Sequence, residues 1–417
     1  MLTLQSRHRL DLRLRHFAYA LVAGLWARNP GRLTARVEAG WSPSGQGVVC
    51  RSVRSGFHLL LAELALPAGA EVLVSAVTHP DMVRILEAHR LVAVPVDLDI
   101  PTLGPRLDLA ERLVTPRTAA VLVAHLFGGH VAMGPLAAFA RQHRLMLWED
   151  CAQAFIGPAD TGDPSADVSM YSFGALKTCT ALGGALLKVR DPALRAGMRS
   201  THSRWRLQKR RAYAATVLKF LAFTLAVRPL PFGILARLNQ ALGRDFDRMV
   251  NTSVKAFRPG PLLPQLEVRP SAPLLATLAY RLRSFDGARL RRRAAAGDWL
   301  SAHLPDNVVP VGHRMALHTH WLFPVMSSEP DRLILACRRA GVDGARAASS
   351  VTVVGAPAGR YEAEPHAARH MMAALVFLPA YPELPRRSLA RLVRATRVAA
   401  TALAPMSIGR PSRVIQP

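Results

Sequence analysis

The residues best equipped for chemistry lie between Leu147 and Val189. An apolar run, Leu145 to Trp148, ends in two carboxylates, Glu149 and Asp150. A buried parallel strand delivers an acid in this way to its C-terminal edge, where open α/β sheets bind ligands. A second strand, expected over Val168 to Phe173, brings Ser172 to the same edge, and Lys177 follows in the next loop. Gly183-Gly184 then turns the chain into a third strand, Ala185 to Val189.

Lys177 stands out by its neighbours. The chain favours arginine and holds five lysines, Lys177, Lys188, Lys209, Lys219 and Lys255. The other four read as surface or flanking residues, whereas Lys177 sits among small and apolar ones. A desolvated amine has a lowered pKa and becomes a nucleophile toward carbonyls. A carboxylate at a strand end with a lysine after a serine is the equipment for pyridoxal 5'-phosphate (PLP). There the lysine forms the Schiff base and the acid pairs with the pyridinium nitrogen. The plainer reading is an aspartate capping a helix and a lysine snorkelling from a loop.

Taken together, Asp150-Cys151-Ala152-Gln153-Ala154, then Ser172-Phe173 with Lys177, then Gly183-Gly184 resemble the DegT-type nucleotide-sugar aminotransferases. The resemblance runs from about Val49 to Val189 and resumes from about Pro270 to Val398. It implies an α/β, fold-type-I PLP-transferase-like architecture: a large domain with a mostly parallel sheet and a smaller C-terminal α/β domain. It further implies that Lys177 is the Schiff-base lysine, Asp150 the pyridinium partner, Gln153 a neighbour of the ring and Ser172 a phosphate ligand. Thr78-His79 matches the family's Thr-aromatic pair, so His79 is expected to stack on the cofactor. Ser55-Gly56 is expected at a helix start, where free amides favour phosphate. Main-chain donors of Gly56, Phe57 and His58 are expected there, although Phe57 stands where the family has threonine.

The activity implied is transfer of an amino group from an amino acid, glutamate or glutamine, to a keto-sugar nucleotide or related keto compound, by a cytoplasmic homodimer. Lysine at position 177, rather than histidine, points to transamination and not to the family's dehydratase branch. A reading from another class is a catalytically weak PLP-fold binding or regulatory protein. Its support is a set of departures: Phe57, the basic apolar inserts, and Glu267-Val268-Arg269 in place of the family's Asn-Tyr-Arg.

A chain of 417 residues, half of them apolar, can bury a large core. The net charge of +26 invites a nucleic-acid reading. Against it, the basic residues are scattered, aromatics are few and no nucleic-acid module is recognisable, so no nucleic acid is expected as partner. Cys50, Cys151, Cys179 and Cys337 show no C-x-x-C spacing, which argues against a zinc site or disulfide framework and fits a reducing cytoplasm. No metal is expected.

The expected organisation is a basic N-terminal arm over 1–45, a PLP-binding domain over 46–200, a basic, apolar insertion over 201–265, a small domain over 266–404 and a flexible tail over 405–417. Within it, strands alternate with helices from Gly47 to Val189, which argues for a mostly parallel sheet. A long helix is expected from Leu274 to Leu300 and a strand from His320 to Met326. Two segments, Arg7 to Trp26 and Arg204 to Leu235, set arginines beside apolar runs too short or too proline-broken to span a bilayer. Such segments either lie in a membrane interface on the cytoplasmic side or pack on the large domain with arginine stems covering apolar surface.

Overall fold

In a computed structural model of the protein, residues 4–6, 9–241, 261–346 and 351–400 are described. The predicted tail, Arg7 of the first basic apolar segment and residues 242–260 of the 201–265 insertion fall outside them. Helices α1 (Leu14–Trp26) and α2 (Pro30–Trp41) precede the main sheet. That sheet has seven strands: β1 (Gly47–Cys50), β2 (Glu71–Ser75), β3 (Val92–Val96), β4 (Thr118–Ala124), β5 (Met146–Asp150), β6 (Val168–Ser172) and β7 (Ala185–Val189). Their order is β1-β7-β6-β5-β4-β2-β3. Neighbours from β3 to β6 pair in parallel, and β7 runs antiparallel to both β6 and β1. This is the mostly parallel α/β sheet expected, and its strands are buried on both faces, which is why they read as near-continuous apolar runs. Helices α3 (Val53–Leu64), α4 (Pro80–Ala88), α5 (Leu107–Leu113), α6 (Met133–Gln142) and α7 (Pro192–Arg204) connect and cover it.

After α7 come α8 (Arg210–Ala226), α9 (Pro229–Ala241), α10 (Ala272–Arg283) and α11 (Gly287–His303). The inner faces of α1, α2, α8 and α10 share one apolar cluster with Tyr171, Phe173 and Leu186 of the sheet and its last loop. A smaller antiparallel sheet holds β8 (Val309–Pro310), β9 (Phe323–Met326) and β10 (Leu375–Leu378), in that order. Helices α12 (Pro330–Arg339) and α13 (Arg386–Ala400) pack on it through Leu333, Cys337, Leu389 and Leu392.

Three expectations need correction. The long helix of 274–300 is two helices, broken at Ser284–Asp286, because the Asp286 carboxylate caps the second by accepting from Arg289 N. The strand expected from His320 begins at Phe323. His320 has a left-handed φ of 47°, and the residues before β9 bond to the loop after β4 instead. Lys188 is not a surface residue: it is buried in β7, with its Nζ donating to the Asp163 carbonyl at 2.5 Å. All four cysteines are buried and unpaired.

Candidate active site

The acidic pair ends β5, a central strand flanked by β4 and β6. Successive side chains leave a strand on opposite faces, so Glu149 and Asp150 enter different surroundings. Glu149 accepts from His125 Nε2 at 3.0 Å, Ser169 Oγ at 2.7 Å and Asp163 N at 2.9 Å. His125 Nδ1 accepts from Val131 N, which fixes the proton on Nε2. Burial alone would raise the Glu149 pKa, but these bonds hold it below the ordinary carboxylate range. Cys151 adds its thiol to this buried group, and with every partner accounted for the cluster reads as structural. Asp150 is different. Burial raises its pKa against the opposing pull of Ala152 N–H, Lys177 and His125, and its carboxylate accepts from Ala152 N at 3.0 Å.

Lys177 lies in the loop between β6 and β7, where its backbone N–H closes a turn onto the Gly174 carbonyl. Burial lowers its amine to about 8; the Asp150 charge pulls it up and Arg54 pushes it down. Lys177 and Asp150 therefore feel each other across one space, and the amine carries a neutral fraction near neutral pH. Its Nζ sits 4.3 Å from the centre of the Trp321 ring, a cation–π contact.

Trp321 is held from two sides. Its indole N–H donates to the Leu176 carbonyl at 2.8 Å. Its backbone rides on the loop after β4, where Thr319 N donates to the Gly128 carbonyl and Leu322 N to the Phe127 carbonyl. Gly128 has φ 96°, and a Cβ there would meet Trp321 N at 2.5 Å, so this position requires glycine. Gln153 closes the same corner by accepting from Phe127 N at 2.8 Å.

Ser55-Gly56, expected at a helix start, lie one turn inside the helix edge. Helix α3 begins at Val53, with Ser52 capping it by accepting from Ser55 N at 3.2 Å. Gly56 N already donates to the Ser52 carbonyl, so Gly56 and Phe57 lie inside the helix. Gly56 has a packing role: a Cβ would meet Leu187 of β7 at 2.5 Å. Phe57 is fully buried, edge-on to Trp148.

Ser172 ends β6, its hydroxyl 3.4 Å from Gly174 N. His79 caps α4, its Nδ1 accepting from Asp81 N at 3.2 Å. Asp81 also binds Arg54 Nη1 at 2.8 Å, which ties the starts of α3 and α4 together. Next to His79, the Thr78 hydroxyl is buried without a hydrogen-bond partner among the described residues. Glu267 reaches His58 of its own chain, 3.4 Å from Nε2.

Several residues around the lysine were not legible in the sequence. Arg293 of α11 donates from Nη1 and Nη2 to Thr178 Oγ1 at 3.2 Å and from Nε to the Thr319 carbonyl at 2.8 Å. Burial lowers its pKa to about 10, so it stays charged at neutral pH. Asp11 of the N-terminal arm accepts from Cys179 N at 2.7 Å, Arg281 Nη2 at 3.1 Å and Arg289 Nη1 at 3.0 Å. A cleft opens beside Lys177, lined by Arg9, Arg289, Arg293, Trp321 and Tyr381. No local pattern marks these residues, since their partners come from distant parts of the chain.

A depressed amine, a strand-end carboxylate coupled to it, a buried hydroxyl with no partner among the described residues and a helix N-terminus carrying Arg54 form a donor set that fits an aromatic aldehyde phosphate such as PLP. Known proteins bear on the point. The chain is 29% identical over 197 residues to the GDP-perosamine synthase of Caulobacter vibrioides, covering 46% of this chain and 53% of that one. It is 33% identical over 186 residues to the UDP-N-acetyl-3-dehydro-alpha-D-glucosamine 3-aminotransferase of Acidithiobacillus ferrooxidans, covering 42% and 49%. The chain thus spans about half the length of these curated relatives. NtdA of Bacillus subtilis, solved with bound cofactor PMP, superposes with a TM-score of 0.64 at 17% identity over 93% of this chain and 81% of that one, a likeness of fold. Residues 26–239 match the family model of the DegT/DnrJ/EryC1/StrS aminotransferases. That match covers just over half of the chain, and the chain belongs to the DegT/DnrJ/EryC1/StrS aminotransferase family.

Proposed function

We propose that this protein is a PLP-dependent aminotransferase that moves an amino group from an amino acid to a keto-sugar nucleotide or related keto compound in amino-sugar biosynthesis. The carrying observation is Lys177: an amine lowered to about 8 by burial and coupled to the strand-end Asp150. Family membership and relatives named for amino-sugar synthesis support the substrate class.

When bound, PLP supplies an electron sink for the carbanion formed at the amino-bearing carbon. Lys177 is the residue that tethers it and, once released, moves the proton at the reacting carbon. The Asp150 carboxylate would partner the pyridine nitrogen and favour its protonated form; burial would strengthen that interaction. The start of α3, with Ser172, would hold the phosphate. His79 and Gln153 would hold the ring between them. Trp321 shields the Lys177 amine from water on one side. The arginines of the cleft, Arg9, Arg289 and Arg293, favour an anionic acceptor such as a sugar diphosphate.

Incubation with PLP, borohydride reduction and mass spectrometry of peptides tests the assignment. The expected result is a reduced adduct on Lys177. Reduction that traps no lysine, or a lysine other than Lys177, overturns it.

A further inference from the structure

Helices α1, α8 and α9 differ from the rest of the molecule in one respect. They contain no aspartate or glutamate, yet each carries an outward row of apolar side chains. On α1 the exposed row is Leu14, Ala18, Val22, Leu25 and Trp26, with Leu25 72% and Trp26 50% exposed. On α8 it is Ala215, Leu218, Ala222 and Leu225, with Leu218 55% exposed. On α9 it is Leu230, Ile234 and Leu238. Each row recurs every three or four residues, so it forms one stripe of its helix.

The opposite stripes are already used. Phe17, Ala20 and Ala23 of α1 and Tyr213, Val217 and Phe220 of α8 enter the same core cluster against α10. Tyr19 of α1 stacks on Tyr280 of α10 at 4.1 Å. Arg210 at the start of α8 donates to the Gly24 carbonyl near the end of α1, so the two helices lie side by side. Their outward stripes thus lie on neighbouring helices, and α9 follows directly after the turn at Val227-Arg228 with a third exposed apolar row. Exposed apolar surface of this kind marks an interaction site.

Charge identifies the partner. Exposed basic residues frame the stripes: Arg15 and Arg28 at the ends of α1, Lys209, Arg211 and Lys219 on α8 with its approach, and Arg228 and Arg237 around α9. A twofold contact presents the same patch from both copies. On this face it would set arginine and lysine against arginine and lysine, with no carboxylate on the three helices to relieve them. An anionic lipid surface offers what the patch needs, an apolar layer under a sheet of phosphates. Among the described residues no helix is long and apolar enough to cross a membrane, so the contact is one of lying on the surface.

We propose that the face made by α1, α8 and α9 docks the enzyme on an anionic membrane surface, the apolar stripes entering the headgroup boundary and the arginines meeting lipid phosphates. Bound there, the enzyme would work on acceptors made or used at the membrane.

Flotation of the full chain with phosphatidylglycerol–phosphatidylcholine vesicles, beside pure phosphatidylcholine vesicles, tests this. The expected result is flotation with the anionic vesicles at low salt and release by salt. Replacing Arg15, Arg211 and Lys219 by glutamine should weaken partitioning by about fivefold per residue. Leu25→Ser with Leu218→Ser and Leu225→Ser should weaken it more than tenfold. Both sets change exposed residues, and an unchanged near-ultraviolet circular dichroism spectrum verifies the fold. Failure of the parent protein to float at low salt overturns the proposal, as does equal binding to neutral vesicles. Sedimentation then identifies a second copy as the occupant if the leucine substitutions dissociate a dimer.

Discussion

The Lys177 Nζ lies 4.3 Å from the centre of the Trp321 ring, and the Trp321 indole N–H donates to the carbonyl of Leu176, the residue before the lysine. One aromatic side chain thus positions both the amine and the backbone that carries it. The contact brings the segment before β9 onto the loop after β6 and closes the site over the edge of the main sheet.

The first prediction concerns the Lys177 charge. Amine labelling of the cofactor-free protein, followed by mass spectrometry of the Lys177 peptide, should rise with pH through about 8. Asp150→Asn removes the charge that favours the protonated amine, so the midpoint should fall. Arg54→Gln removes a repelling charge, so the midpoint should rise. A midpoint that stays in the ordinary lysine range and ignores both substitutions contradicts the site.

The second concerns turnover. Lys177→Ala should lower the rate of transamination at least about a thousandfold while the fold persists. Lys177→Arg should not restore it, because a guanidinium stays protonated. Amino transfer from glutamate or glutamine to a keto-sugar nucleotide is the measurement.

The third separates the two neighbouring acids. Asp150→Asn should cost about a hundredfold in rate with little change in stability. Glu149→Gln disrupts a buried hydrogen-bond network around a carboxylate and should cost about 1–3 kcal/mol of stability, read by urea unfolding. The sign of the pH effect follows from the lowered Glu149 pKa. Its stabilisation is present above the ordinary carboxylate range and is lost as pH falls through the lowered native value. The Gln variant should lose that part of the acid dependence.

The fourth tests the support under Trp321. Gly128→Ala forces a Cβ into Trp321 N at a backbone conformation that favours glycine. It should destabilise by about 1–3 kcal/mol and loosen the indole, visible as a change in tryptophan fluorescence. Gly134→Ala, where a Cβ meets nothing within 4 Å, is the control.

Much was legible in the sequence because it depends on neighbours along the chain. The apolar runs ending at Asp150 and Ser172, the alternation of strand and helix and the Gly183-Gly184 turn are local patterns. They determined the α/β class and the main-sheet strands from β2 to β7, and they marked Lys177 and Asp150 as candidates. The sequence also marked the two basic apolar segments, whose pattern was compatible with packing and with a membrane surface alike.

Tertiary structure decided the rest. Which acid stays available turned on His125, Ser169 and Asp163 N closing around Glu149. The start of α3 moved to Val53 because Ser52 was available as cap and Gly56 was needed for close packing on Leu187, a contact with a distant strand. Trp321, Arg293 and Asp11 reach the Lys177 loop from segments far away in sequence, and no spacing rule announces such partners. Short-range periodicity records which face of an element is buried; only the assembled core decides which side chains meet across it.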